Sequence, residues 1–338
     1  MKIAVVILNW NGKELLERFL PSVIAYSQHS AEIIIADNDS SDSSVEFLKQ
    51  NYPQIRLIQN EKNLGFAKGY NVALKQVEAD YYILLNSDIE VTENWIDGII
   101  KLMESDKTIA ACQPKILSYK NKNLFEYAGA AGGFIDKLGY PFCRGRIFQS
   151  VEEDNNQYDD IREIFWAAGA CMFVRADYFH KIEGFDDDFF AHMEEIDLCW
   201  RFKNAGYKIF YYPYSTIYHV GGATLNKMSP QKTFLNFRNN LSLIYKNITQ
   251  KQLRKVLLKR SILDFIAATT FIFSGGFSHF YAVIRAYIAF YKSLKQIKVK
   301  RKKITQIKVK GIYKKSIVKH YHFCKKKVFT QLSETDFL

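Results

Sequence analysis

The sequence is short of cysteine, of long apolar runs and, toward one end, of acid. Its 338 residues include five cysteines: Cys112, Cys143, Cys171, Cys199 and Cys324. An odd number with no Cys-x-x-Cys spacing excludes a disulfide scaffold and a cysteine zinc site, and fits a reducing compartment. No stretch approaches the ~20 apolar residues that span a bilayer. The apolar start, Met1 to Leu8, is broken by Asn9, Asn11 and Gly12 too soon for a signal peptide, and reads as a buried first strand. Neither Gly-x-Gly-x-x-Gly nor Gly-x-x-x-x-Gly-Lys-[Ser/Thr] occurs, so there is no dinucleotide fingerprint and no P-loop. Disorder is excluded by what is abundant, 48% apolar and 15% aromatic residues.

The formal charge of +12 is local. Of 47 basic residues 16 fall in 265–338, against two of the 35 acids, Glu334 and Asp336, so the first 264 residues carry 31 bases and 33 acids. A nucleic-acid partner is therefore not expected for the body of the chain, and the basicity belongs to its C-terminal part.

At roughly 150 residues per domain the length suggests about two domains. Through the first hundred residues short apolar runs alternate with amphipathic stretches, the pattern of βαβ units around a parallel sheet. Strands are expected at Ile3 to Leu8, Glu32 to Ala36, Ile55 to Gln59 and Tyr81 to Leu85. A helix is expected over Leu15 to Ile24, kinked or restarted by Pro21, and a capping box at Ser43 and Glu46. From 116 to 160 the pattern gives way to Gly-rich and acidic loops. Order returns at Ile164 to Arg175, then in a helix from Glu194 to Asn204 closed by Gly206, and a strand from Tyr207 to Tyr212. The divisions are 1–229, with halves 1–115 and 116–229, then a helical extension over 230–291 and a lysine-rich tail over 292–338.

In an open parallel sheet, ligands bind beyond the carboxyl ends of the strands, which directs attention to Asn9, Asp37 and Asp88. Asp37, followed by Asn38, Ser40 and Asp42, either accepts hydrogen bonds from a nucleobase or ribose, or simply caps the next helix with Asp42. Asn63-Leu64-Gly65-Phe66-Ala67-Lys68 opens a helix whose free N–H groups and Lys68 would suit a diphosphate. Leu85-Asn86-Ser87-Asp88 ends an apolar strand in an acid able to share a hard divalent cation with phosphate oxygens. The densest cluster runs from Phe185 to Arg201 and sets Glu194, Glu195 and Asp197 among Phe189, Phe190 and Trp200, where carboxylates are costly without a partner. His219 stands alone further on.

Together and in this order, the segments Val6 to Asn11, Asp37 to Asp42, Asn63 to Ala67, Leu85 to Asp88 and Gly184 to Leu198 resemble the inverting family 2 glycosyltransferases, with the rhamnosyltransferase-like branch as the nearest likeness. The resemblance spans roughly residues 1 to 245. It implies an α/β chain of GT-A fold, a Rossmann-like, mostly parallel sheet flanked by helices, with a C-terminal helical extension. It implies a nucleotide-sugar site of Asn9, Asp37, Asn38, Asn63, Gly65, Lys68, Asn86 and Ser87, taking a UDP-, dTDP- or GDP-linked donor. Asp88 matches the last acid of the family's Asp-x-Asp metal motif and His219 a downstream ligand, for Mg²⁺ or Mn²⁺. Glu195 matches the catalytic base, with Glu194 and Asp197 as alternatives, and Trp166, Gly169 and Met172 fall at the acceptor side. Two positions depart from the pattern: Asn86 replaces the first metal-motif acid, and a glutamate stands where the base is usually aspartate.

The C-terminal third contains two mostly apolar stretches, Ile262 to Phe273 and Phe277 to Tyr291, around Gly275-Gly276. They suit a helical pair on the body or in a membrane interface. Lys292 to Lys327 has no acid, and is expected to touch anionic lipid beside a lipid-linked glycan acceptor. That would make the protein cytoplasmic and peripheral at the inner membrane face, in surface polysaccharide assembly. Two other classes stay open: a sugar nucleotidyltransferase, and a non-catalytic basic protein that binds membrane or nucleic acid on a transferase-like scaffold.

Overall fold

The computed structural model describes residues 1–221, 229–274 and 276–338, so Gly275 lies outside the described residues. The first half consists of β1 (Ile3–Asn9), α1 (Lys13–Ser27), β2 (Glu32–Asp37), α2 (Ser44–Asn51), β3 (Arg56–Gln59), α3 (Gly65–Leu74), β4 (Tyr81–Asn86), β5 (Ile89–Val91), α4 (Asp97–Ser105) and β6 (Ile109–Ser118). Short strands follow: β7 (Gly133–Asp136), β8 (Pro141–Cys143), β9 (Arg146–Ile147), β10 (Ser150–Val151), β11 (Arg162–Ile164) and β12 (Cys171–Arg175). Then come α5 (Ala176–Lys181), α6 (Glu194–Asn204), β13 (Lys208–His219), α7 (Pro230–Asn247), α8 (Gln250–Ser274), α9 (Phe277–Lys302), β14 (Ile312–Tyr313) and α10 (Ile317–His322).

The main sheet has the order β11-β13-β6-β12-β4-β1-β2-β3, with β5 added on β13. Strands β3, β2, β1 and β4 are parallel. The apolar runs of β1, β2 and β4 are buried on both faces, as a parallel sheet covered by helices requires, while β3 at the edge buries only Ile58. Beyond β4 the sheet is mixed: β12 lies antiparallel between β4 and β6, and β13 runs parallel to β6. A second sheet, β10-β9-β8-β7-β14, is built from the region read as loops.

Several expectations shift. Helix α1 continues through the exposed Pro21 instead of restarting there. The Ser43–Glu46 capping box does not form; the Asp42 carboxylate accepts from the Ser44 N–H at 3.0 Å in its place. Strand β13 runs seven residues past Tyr212, bridging an irregularity at Tyr212 to Thr216, and pairs His219 with Ile89 of β5. That extension delivers His219 to the Asp88 end of the sheet.

The largest difference concerns the C-terminus. Helix α9 carries on through Lys302, so the border drawn at residue 292 falls inside a helix. Past it, β14 adds in parallel to β7, and the rings of Phe329 and Phe337 pack against Phe134 at 5.2 Å. The physical reason is that Ile297, Val309, Tyr313, Ile317, Phe329 and Leu332 punctuate the lysines and are all buried. The lysines stay on the outer side, where their charge remains hydrated. Phe329→Ala is therefore expected to cost about 3 kcal/mol in urea unfolding; a loss below about half a kcal/mol, typical of a solvated position, would mean that this segment does not dock.

Candidate active site

The parallel register sets three strand ends side by side, with Asn9 opposite Asp37 and Leu8 opposite Asn86. Asn9 and Asp37 are buried, and they bond to each other: Asn9 Nδ2 donates to Asp37 Oδ2 at 3.0 Å. Ser40 fills the rest of that carboxylate, its N–H on Oδ1 at 2.9 Å and its hydroxyl on Oδ2 at 2.6 Å. Asp37 thus shapes the loop instead of presenting a free carboxylate. Asn38 does the same one residue on, donating to Asn63 Oδ1 and the Gly65 carbonyl at 3.1 Å and accepting from Asn60 and the Leu64 N–H. Gly65 is in the left-handed region, φ 73°, and a Cβ there would stand 2.5 Å from the Phe190 ring. Ser87 reaches the same mouth, its hydroxyl oxygen 3.5 Å from where a Cβ on Gly12 would lie.

The N–H groups expected to be free at the start of α3 are not free. Phe66 and Ala67 both donate to the Phe190 carbonyl, at 2.6 and 3.3 Å. Lys68 stays half-exposed, 4.0 Å from Asp187. The loop before α6 closes that helix end, so a diphosphate would have to be met by side chains or by a displaced loop.

Asp88 and His219 meet. His219 Nε2 lies 3.0 Å from Asp88 Oδ1, and the Asn86 amide nitrogen stands 3.4 Å from the same ring atom. A third group was not foreseen: Glu126, buried, places Oε2 3.5 Å from His219 Nδ1. No spacing connects these residues in sequence, and only folding of the 119–130 loop onto β6 brings them together. Burial alone would lower the His219 pKa, but attraction to Glu126 and hydrogen bonding to Asp88 push it up to about 10. Both carboxyls, which burial would raise, are in turn held below their ordinary values by His219. Gly221 closes the cluster with φ 69°, its N–H on Asp88 Oδ2 at 3.2 Å and no room for a Cβ beside Glu126.

Among the described residues no group of three or more His, Cys, Asp or Glu could hold a metal ion, and Asp88 with His219 is the pair that would hold a divalent cation together with substrate and water. Two ligands each ~2.1 Å from one octahedral ion stand ~3.0 Å apart, and that is the separation of Asp88 Oδ1 and His219 Nε2. The protein supplies one carboxylate and one imidazole there, leaving the other positions to substrate and water.

At the start of α6, Glu194 and Glu195 each hold a carboxylate oxygen buried without a protein partner. Burial pushes Glu195 up to about 7, while burial and the neighbouring Glu195 charge raise Glu194 well above the carboxylate range. Asp197 differs. It is fully buried and saturated, accepting from Arg201 and Lys246 at 2.9 Å and from Asn247 at 2.8 Å. Asp197 is therefore withdrawn as a candidate base; its charge is spent on the scaffold.

The loop feeding α6 is strained. Phe190, His192 and Met193 all have φ between 64° and 71°, conformations that non-glycine residues hold only when the surroundings over-determine them. Asn239 on α7 does this, its Nδ2 donating to the carbonyls of Phe189, Ala191 and His192 at 2.9, 2.9 and 2.7 Å. Arg238 adds bonds to the carbonyls of Asp188 and Phe189. Asn239 carries no local sequence pattern, since it sits 47 residues from its nearest partner in the loop.

Of the three acceptor-side residues, two are core. Met172 is fully buried on β12, and Trp166 is buried with its indole N–H on the Phe134 carbonyl at 2.9 Å; the apolar β-strand environment claims both. Gly169 is half-buried at the site, a Cβ there standing 3.3 Å from Phe66 and 3.6 Å from Glu195.

The ends of β4 and β12 thus meet where the Asn86 N–H donates to the Ala170 carbonyl at 2.9 Å, with Asp88, His219 and the Asn86 amide close by. This mixed α/β sheet flanked by helices is the GT-A fold. Residues 4–182, more than half of the chain, match the family model described as Glycosyl transferase family 2, and the chain belongs to that family of glycosyltransferases. Of the three classes the sequence left open, this match and the named relatives support the transferase.

Two relatives illustrate it. The N-acetylglucosaminyl-diphospho-decaprenol L-rhamnosyltransferase of Mycobacterium tuberculosis is 26% identical over 235 residues, 64% of this chain and 75% of that one. Rhamnosyltransferase WbbL of Escherichia coli K12 is 26% identical over 218 residues, 62% and 80% of the two chains. Among solved structures, S. aureus TarS 1-349 in complex with UDP-GlcNAc gives a TM-score of 0.56 at 14% identity, covering 89% of this chain and 84% of that one. The mannosyltransferase PcManGT of Pyrobaculum calidifontis, in complex with GDP-Man and Mn²⁺, gives 0.51 at 12%, covering 87% and 75%. GalNAc-T7 with UDP, GalNAc and Mn²⁺ gives 0.58 at 18%, and the likeness covers 74% of this chain but only 48% of that one. At these identities the likeness concerns the fold.

Asn239→Ala removes a side chain that satisfies three carbonyls of the strained loop. It should cost about 2 kcal/mol in urea unfolding and cut donor turnover about tenfold, while Ser242→Ala, one turn along α7, changes neither. Wild-type turnover in Asn239→Ala would show that the loop holds its shape unaided.

Proposed function

We propose that the protein transfers a sugar, with inversion, from a UDP-, dTDP- or GDP-linked donor to a hydroxyl of a glycan or lipid-linked glycan acceptor, at the inner face of the cytoplasmic membrane. The observation that carries this reading is the Glu195 carboxylate at the start of α6, beside Gly169, with one oxygen buried without a hydrogen-bond partner. A sugar hydroxyl is a weak nucleophile, and a carboxylate whose pKa is raised toward 7 is suited to take its proton as it attacks. Glu194, which also has a buried carboxylate oxygen without a partner, is the alternative base.

Asn9, Asp37, Asn38, Asn63 and Gly65 hold one another and fix the shape of the donor mouth, with Asn86, Ser87 and Lys68 at its edge. Asp88 and His219 would hold Mg²⁺ or Mn²⁺, which when bound supplies a Lewis acid for the charge that develops on the leaving diphosphate. His219 must give up its proton to bind a cation, and Glu126 behind it keeps the ring oriented. The relatives named as rhamnosyltransferases, one of them acting on a diphospho-decaprenol, support the sugar and acceptor classes by analogy.

The test is nucleoside diphosphate release from a panel of UDP-, dTDP- and GDP-sugars with Mg²⁺ or Mn²⁺. Glu195→Gln is expected to lose roughly 10²- to 10⁴-fold, and Asp88→Ala to lose turnover and its dependence on added metal. If Glu194→Gln is silent in turnover and Glu195→Gln is not, the base is Glu195; the reverse moves the role to Glu194, and full activity in both removes it from α6. Since the base must be ionised, the rate should rise about tenfold per pH unit below about 7 and level off above it. A profile flat from pH 5 to 8 would contradict an elevated carboxyl as the base.

A further inference from the structure

The hairpin of α8 and α9 ends in a surface that the body does not cover. Phe273 is 91% exposed and Phe277 66%, and Ile262, Phe265, Ile266, Ile272 and Tyr281 are exposed beside them. Between Ser261 and Ile284 the one acid is Asp264 and there is no lysine or arginine. Asp264 is buried, paired with Arg260 at 2.8 Å and bonded by Tyr140 and Tyr287, which anchors the hairpin to the body. The tip therefore presents no charge to solvent among the described residues.

Three of its hydroxyls are also self-satisfied. Thr269, Thr270 and Ser274 donate to the carbonyls of Ile266, Ala267 and Thr270 at 2.8, 2.7 and 3.1 Å, so they can leave water without losing hydrogen bonds. Toward the body both helices turn basic. Lys251, Arg254, Lys255 and Lys259 are exposed on α8, and Lys292, Lys295 and Lys298 on α9. No described helix is long and apolar enough to cross a membrane.

We propose that this tip docks into the interface of an anionic bilayer, with the aromatic end among the upper acyl chains and the collar of lysines and arginines at the lipid phosphates. From Lys259 to Phe273 the helix rises about 21 Å at ~1.5 Å per residue, enough to carry the tip through a headgroup layer of about 5–8 Å even when the helix is oblique. Charge selects this occupant. A second copy lying alongside would set collar against collar, whereas anionic headgroups neutralise it. This places the lipid contact on the hairpin and the first lysines of the basic segment, Lys292 to Lys298 on α9, while the chain from β14 onward packs on the body.

The hairpin also reaches the site. Phe271 on α8 packs on Phe237 of α7, and Arg285 on α9 lies over Phe234 of α7. The next turn of α7 carries Arg238 and Asn239, which hold the loop before Glu194. The inference rests on the proposed lipid-linked acceptor for its purpose, but its test does not.

The full-length protein is floated with vesicles of phosphatidylcholine alone and with a one-third share of phosphatidylglycerol. The wild type should float with the anionic vesicles only, and high salt should release it. Phe273→Ser/Phe277→Ser and Lys251→Gln/Lys255→Gln/Lys259→Gln should each bind about tenfold less, with release of nucleoside diphosphate from soluble donor unchanged as proof of folding. Phe273→Trp should be quenched by lipids brominated in the acyl chain. A wild type that stays unbound, hairpin variants that bind as well as wild type, or a tip variant that turns a wild-type dimer into a monomer without affecting vesicle binding would each overturn the proposal. Vesicle binding without turnover of any donor would instead leave it standing and count against the proposed reaction.

Discussion

The site depends on a buried knot of charge. Lys246 of α7, almost fully buried, pairs with both Asp197 on α6 and Asp186 in the loop before it. Asp197 is shared with Arg201, and Asp186 with Lys300 near the end of α9. Two carboxylates and three cations from four parts of the chain thus pair with one another, all but Lys300 largely out of water, and Lys300 also meets the exposed Asp188. Such a pairing adds little net stability over an apolar core, yet removing one member leaves an uncompensated buried charge at about 3–5 kcal/mol. Its effect is positional: it fixes where α6 begins, and so where Glu194 and Glu195 emerge.

The same knot explains why the C-terminal third is part of the catalytic unit. Helices α7 and α9 pack on each other through Leu241, Phe290 and Ile297, and Arg301 caps the end of α7 through the carbonyls of Lys246 and Ile248. Lys300 and Lys303, which composition assigns to a tail, are partners of Asp186, Asp188 and Glu183. A positive segment sits here because the loop before α6 is negative.

What the sequence made legible was periodic or local. Strands β1, β2 and β4 were readable because two-sided burial makes them continuous apolar runs, and the end of α6 because Gly206 supplies the left-handed residue after it, at φ 89°. The ends of those strands pointed to Asn9, Asp37, Asn86 and Asp88. Glu126 and Asn239 were not legible, because their partners lie far away in the chain and a lone Glu between two aromatic residues or a lone Asn in a helix carries no pattern. Asp197 looked like an active carboxylate for the same reason: its saturation by Lys246 and Asn247 depends on a helix half a hundred residues away. Met172 and Trp166 fell at family positions, but strand burial decides their role.

Polar satisfaction divides the mouth of the sheet in two. On the donor side most groups are bonded to another, Asn9 to Asp37, Asp37 to Ser40, Asn38 to Asn63 and Gly65, so the shape is set before any ligand arrives, with Asn9 Oδ1 and Asn60 Oδ1 the buried acceptors left without a partner. On the other side Glu194, Glu195 and His192 each keep a buried polar atom without a protein partner, and burial with the neighbouring Lys232 charge holds His192 at about 4, hence neutral. Buried polar atoms left unpaired cost about 1–3 kcal/mol each, and the strained φ values of residues 190, 192 and 193 add to that. The fold meets this cost through Asn239, Arg238 and the charge knot. Free energy held at one spot by contacts from α7 and α9 is what a proton-accepting carboxylate needs, because solvation or a permanent partner would return it to an ordinary acid.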